Sequence, residues 1–140
     1  MKLGTIANGT RDGELVVVSA DLSTAVSAKT IAPNLLTAME NWTAVEPGLR
    51  ALAADLAAGR AAGAFPFDQG RALSPLPRSF QWIDGSCFKN HLYLMARATG
   101  RDPEIEMNSP FPLMYQGMSD DFYPPQGDIA LPREEDFIDF

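Results

Sequence analysis

The chain has 140 residues, 46% of them hydrophobic and 21% charged, with a net charge of −7, which suits one globular domain, or one small domain and part of another, with enough apolar material for a core. The acidic balance argues against nucleic acid as a partner, since phosphate binding needs a basic face, and no apolar run approaches the roughly 18 residues that a membrane span requires. The single cysteine, Cys87, leaves no internal disulfide framework and fits a reducing, cytoplasmic setting, and "MKLGTIANGTRDG" lacks the apolar stretch of a secretory signal.

Taken in chain order, "KLGTIA" (2–7) and "ELVVVSA" (14–20) flank the turn-rich "NGTRDG", a pattern that predicts a β-hairpin with a long loop. "STAVSA" (23–28) predicts a third strand. Pro33 fits a helix start, and "NLLTAMENW" sets Leu35, Leu36, Met39 and Trp42 at helical spacing. A second helix is predicted over 46–58. It opens at Glu46 and Pro47, stops at Gly59, and makes one apolar face from Leu49, Leu52, Ala53 and Leu56. "GRAAGAFPFDQG" reads as loop, and "SPLPRS" (74–79) as a Pro-rich linker.

That linker also divides the charge. Residues 1–78 hold seven basic and seven acidic side chains, whereas 79–140 hold four basic and eleven acidic. The expectation is an α+β chain with two parts. Residues 1–78 form a small sheet with two short helices and no cluster of catalytic groups. Residues 79–140 form a second, acidic part that carries the chemistry.

In that second part "SFQWI" (79–83) reads as a strand, and Asp84-Gly85-Ser86 as a turn starting a helix, with Asp84 or Ser86 as its N-cap. "CFKNHLYLMARAT" has helical periodicity and ends at Gly100. His91, the only histidine, then shares a face with Cys87, Phe88, Leu94 and Met95 and is expected to be partly buried. By spacing alone such a histidine is an ordinary core residue. Cys87 falls in the first turn, where a helix dipole favours a thiolate, but without a catalytic partner it reads as a small hydrophobe. One carboxylate and one imidazole make no metal site, because a hard cation takes about six oxygen ligands. "DPEIEMNSPFPLMYQGMSDDFYPPQGDI" reads as a long loop of the kind that lines sites. It contains Tyr115 and the pair Asp120 and Asp121, whose types favour turns. "EEDFIDF" alternates apolar and acidic residues like the start of a strand.

Three of these stretches, in order, carry a resemblance. "MKLGTIANGTRDGELVVVSADLSTA", "PLPRSFQWIDGSCFKNHLYLMARATG" and "PLMYQGMSDDF" resemble the N-terminal part of bacterial two-domain members of the fumarylacetoacetate hydrolase family. The resemblance implies a metal-dependent C–C bond hydrolase acting on a β-diketo acid of the acylpyruvate type, or a 2-oxo acid hydratase or decarboxylase on the same scaffold. It implies an N-terminal domain over 1–78, the start of a mostly-β catalytic domain over 79–140, and a homodimer. In the family a metal-binding aspartate precedes the catalytic histidine by seven positions, as Asp84 precedes His91. Asp84 is thereby implied as a ligand of Mg²⁺ or Ca²⁺, His91 as the general base that activates water, and Tyr115 as a substrate contact. The family also uses an arginine after the histidine helix. Neither Arg97 nor Arg101 matches its offset, and Arg97 is the candidate carried forward. A Glu-x-Glu pair that supplies further ligands follows the family's equivalent of "DFIDF". The chain reaches Phe140 before such a pair, so the expectation is an incomplete metal site and an inactive 140-residue chain. The rival expectation is a non-catalytic binding or assembly module.

Overall fold

The computed structural model describes residues 1–119, 121–130 and 133. It is an α+β structure that separates into two compact units. Met1–Arg78 builds the first unit, together with the described residues from Asp121 onward. The second unit begins at Ser79.

The first unit is an antiparallel four-stranded sheet with two helices. Strands β1 (Lys2–Ile6), β2 (Glu14–Val18), β3 (Thr24–Ser27) and β4 (Phe65–Pro66) lie in the order β1-β2-β3-β4. The predicted hairpin forms in the register Gly4↔Val16, and the third strand pairs Val17 with Val26. The apolar run Leu15-Val16-Val17-Val18 is buried throughout, which is what a strand covered on both faces requires. Leu15, Val17 and Val26 point into a cluster with Leu35, Ala38, Leu49 and Leu56 from the helices. Val16, Val18 and Ala25 alternate to the other face, where Phe65 and Phe67 cover them. Burying each of the leucine and valine side chains stabilises the fold by roughly 1.5–3 kcal/mol before the entropy of ordering is set against it.

Helix α1 (Leu35–Glu40) starts one residue after Asn34, whose side-chain oxygen accepts the Thr37 N–H at 2.8 Å. Helix α2 (Trp42–Ala57) begins four residues earlier than the sequence predicts and runs through Pro47. Proline removes one helical hydrogen bond. Here Pro47 and Thr43, whose carbonyl loses that donor, are both exposed, and water can fill the role. The predicted face of α2 is the observed one: Leu49 and Leu56 are buried, and Leu52 and Ala53 pack beside them.

The stretch read as loop contains β4, which pairs with β3 through Ala25↔Phe65, and a 3₁₀ turn at Gln69–Arg71. A two-residue strand has no periodicity to read, and its partner alone defines it. The Pro-rich stretch that follows is tied down. Leu73 N–H donates to the Thr5 carbonyl, and the buried Thr5 hydroxyl donates to the Pro75 carbonyl at 2.7 Å. That bond satisfies the polar side chain buried among the core residues.

The second unit contains β5 (Trp82–Ser86), α3 (Lys89–Ala98), α4 (Pro103–Met107) and β6 (Leu113–Gly117). Strands β5 and β6 form a separate two-stranded antiparallel ribbon, and α3 packs against α4. The long loop expected after residue 101 therefore holds a helix and a strand. Among the described residues no helix is long and apolar enough to cross a membrane. The "EEDFIDF" stretch and Asp120 lie outside the described residues.

Candidate functional site

Asp84 lies in the middle of β5, not at a helix start. It stands directly opposite Tyr115 of β6 in the register Trp82↔Gly117, Asp84↔Tyr115, Ser86↔Leu113. Side chains alternate across a strand, so Trp82, Asp84, Ser86, Leu113 and Tyr115 share one face of the ribbon. The expected cap at Asp84 or Ser86 is overturned by this pairing. Both residues spend their backbone groups on a strand whose partner lies some thirty positions further along the chain.

Trp82 joins this face without having been singled out in the sequence. Its ring meets that of Tyr115 edge-on, with centroids 5.7 Å apart and planes at 77°. Gly117, opposite Trp82, makes room for the indole: a Cβ there would stand 2.2 Å from Trp82 Cε3. The period-2 alternation of Trp82 and Asp84 was the available signal, but it needed the knowledge that 82–86 is one strand.

Helix α3 begins at Lys89 after an N-cap Phe88 that makes no side-chain capping bond, so Cys87 precedes the helix and does not sit in its first turn. Its buried residues are Leu92 and Ala96. The stripe expected to be covered is open: His91 is exposed, and so are Phe88 (76%), Leu94 (56%) and Met95 (43%). Periodicity found an apolar stripe but not the seam that faces inward, which the packing of α3 against α4 decides. His91 is thus an accessible imidazole, and the expectation of partial burial is corrected. Its side chain and that of Asp84 have no hydrogen-bond or ion-pair partner among the described residues.

Arg97 is engaged on its own helix. Its guanidinium lies 5.8 Å from the Tyr93 ring centroid and donates to the Tyr93 hydroxyl at 3.4 Å. Arg101 donates through Nε to the Thr99 hydroxyl at 2.8 Å. Asp121 accepts from Arg11 at 2.9 Å in the first unit. An open groove of about 310 Å³ in the second unit is lined by residues that include Ser86, Cys87, Lys89, Leu92 and Phe111.

Among the described residues no three of the His, Cys, Asp and Glu side chains come together as a metal-holding group. One carboxylate, Asp84, faces the side of the ribbon that Tyr115 occupies. By themselves these residues do not fit a Mg²⁺ or Ca²⁺ ion, which takes several oxygen ligands.

No curated protein matches the chain. Residues 1–78, however, match the family model described as fumarylacetoacetase N-terminal domain 2. The matched stretch carries the β1–β2 hairpin, both helices of the first unit and all of the clustered core. Because the match covers more than half of the 140 residues, the chain belongs to the fumarylacetoacetase N-terminal domain 2 family.

Proposed function

We propose that the chain is the N-terminal portion of a metal-dependent hydrolase that cleaves a C–C bond in a β-diketo acid of the acylpyruvate type. Residues 1–78 are its N-terminal domain, and 79–140 begin the domain that carries the chemistry. The observation that carries this reading is the pairing of Asp84 with Tyr115 on one ribbon face, with an exposed His91 seven positions after Asp84. Family membership supports the broad class.

His91 takes the role of general base, a task that exposed imidazoles perform by accepting a proton on a ring nitrogen. It removes a proton from water, and the oxygen attacks one carbonyl of the diketone. The C–C bond then breaks, its electron pair passes to the neighbouring carbon as an enolate, and the proton held by His91 returns to that carbon. The Tyr115 hydroxyl donates a hydrogen bond to a substrate oxygen, and the Trp82 edge restrains the phenol ring. A divalent cation, Mg²⁺ or Ca²⁺, would stabilise enolate charge when bound. Asp84 is the described carboxylate on that face and would be one of the ion's ligands. The working enzyme is proposed to be a cytoplasmic homodimer.

The test is the loss of β-diketone ultraviolet absorbance when acylpyruvate and Mg²⁺ are supplied. The 140-residue chain is expected to give no Mg²⁺-dependent rate. A rate from that chain would contradict the incomplete-site reading.

A second reading, a binding or assembly module, is favoured by the distribution of the core. Every member of both buried clusters lies between Ile6 and Leu56, whereas the described second unit buries only Leu92 and Ala96. Limited proteolysis separates the two. A resistant 1–78 core with rapid cleavage across 100–140 supports the module, and comparable resistance of both parts supports the enzyme portion.

A further inference from the structure

The β1–β2 turn places two oppositely charged neighbours, Arg11 and Asp12, at the point where the chain leaves the first unit and where it returns. Arg78, the last residue before the second unit, donates from Nε and Nη2 to the two oxygens of Asp12 at 2.7 and 2.9 Å. This fork-to-fork geometry is the strong form of an ion pair, and Asp12 is only 22% exposed. Arg11 donates to Asp121, the first residue of the returning chain, at 2.9 Å. Between these two ion pairs the Phe122 N–H donates to the Pro77 carbonyl at 2.8 Å.

We propose that this turn is a clamp that holds together the two ends of the 79–120 excursion. Three features support it beyond the bonds themselves. The polarity is crossed: the acid of the turn takes the outgoing arginine and the base takes the returning aspartate, so that exchanging the two ends would set like charges together. The outgoing segment is already pinned to β1 by Leu73 and Pro75, leaving little slack at Arg78. The turn itself is fixed by Gly13 at φ +64°, whose missing Cβ would meet the Thr5 side chain at 2.5 Å. The two halves also differ in character. Arg11 and Asp121 are 57% and 81% exposed and are open to screening by salt, whereas the Asp12–Arg78 half is more sheltered. The first unit thereby closes the loop from which the residues proposed for chemistry are presented. The clamp does not depend on the reaction proposed above.

The test uses the full chain and reads amide hydrogen exchange at Phe122, with trypsin cleavage after Arg78 as a second readout. In Asp12→Ala the Phe122 amide is expected to exchange about tenfold faster and Arg78–Ser79 to be cut sooner, while the amides of β2 keep their protection. Should Asp12→Ala lose protection in β2 as well, Asp121→Asn decides, because that exposed position leaves the core untouched. There the Phe122 amide is expected to exchange about threefold faster or more at low salt. A Phe122 amide that exchanges less than about threefold faster in the variant that decides overturns the clamp.

Discussion

Asp84 and Tyr115 face each other across a two-stranded ribbon, two positions from the glycine that lets Trp82 lie over β6. A carboxylate, a phenol and an indole are thus placed on one surface by register, and a one-residue slip of β5 would carry Asp84 and Trp82 to the face opposite Tyr115.

Gly117 holds this arrangement open. A Gly117→Ala change puts a Cβ at 2.2 and 2.6 Å from two atoms of the Trp82 ring, and the ring must move away from Tyr115. The expected result is a destabilisation of about 1–3 kcal/mol confined to the ribbon. Changed near-ultraviolet dichroism and tryptophan emission, with unaltered exchange in β2, would show it. An unchanged tryptophan signal would mean that the indole does not occupy this place.

Gly13 is predicted to be the less tolerant glycine of the first unit. Its φ of +64° disfavours any side chain, and a Cβ would stand 2.8 Å from the Ile6 carbonyl oxygen, which cannot swing aside as a side chain can. Gly13→Ala should destabilise the chain by about 2–4 kcal/mol in urea unfolding. A loss below about 0.5 kcal/mol, the range of an ordinary surface change, would contradict the geometry.

The β2–β3 turn gives the chain a defined response to acid. Asp21 accepts from the Ser19 hydroxyl at 2.6 Å, the Ser23 hydroxyl at 2.8 Å and the Ser23 N–H at 3.1 Å, and these bonds lower its pKa from 3.8 to about 2. The hydrogen bond from Arg78 likewise lowers the Asp12 pKa, despite opposing burial. A carboxyl whose folded pKa is depressed contributes stability that is fully present above its unfolded value and is lost as pH falls through the folded one. Stability should therefore decline as pH falls from about 4 toward 2. Asp21→Asn should flatten that decline, as read from urea midpoints across the range. An equally steep decline in the variant would place the acid sensitivity elsewhere.

Local patterns carried the first unit well because its signals are local. The alternation in "KLGTI", the doubly buried "ELVVV" run and the Leu49–Leu56 face each name their own element. Pro47 misled because proline usually opens a helix, whereas here an exposed turn tolerates it inside one. The site was less legible. The residues Asp84, His91 and Tyr115 stand out by type, but their geometry rests on pairing with distant sequence. Asp84-Gly85-Ser86 carries turn-forming residues and becomes a strand because Leu113–Gly117 lies beside it. Likewise, whether His91 is covered depends on which helix α3 packs against, and no spacing within "CFKNHLYLMARAT" encodes that choice.

The most direct test of the central claim is Mg²⁺-dependent acylpyruvate cleavage by the protein of the complete reading frame that contains these residues, compared with its His91→Ala and Asp84→Ala variants. If His91 is the base, His91→Ala should lower kcat by roughly 10²–10⁴ while the variant stays folded, and Asp84→Ala should raise the Mg²⁺ concentration needed for activity. A folded His91→Ala protein that cleaves acylpyruvate within a few-fold of the parent, or a parent that does not cleave it, would contradict the assignment.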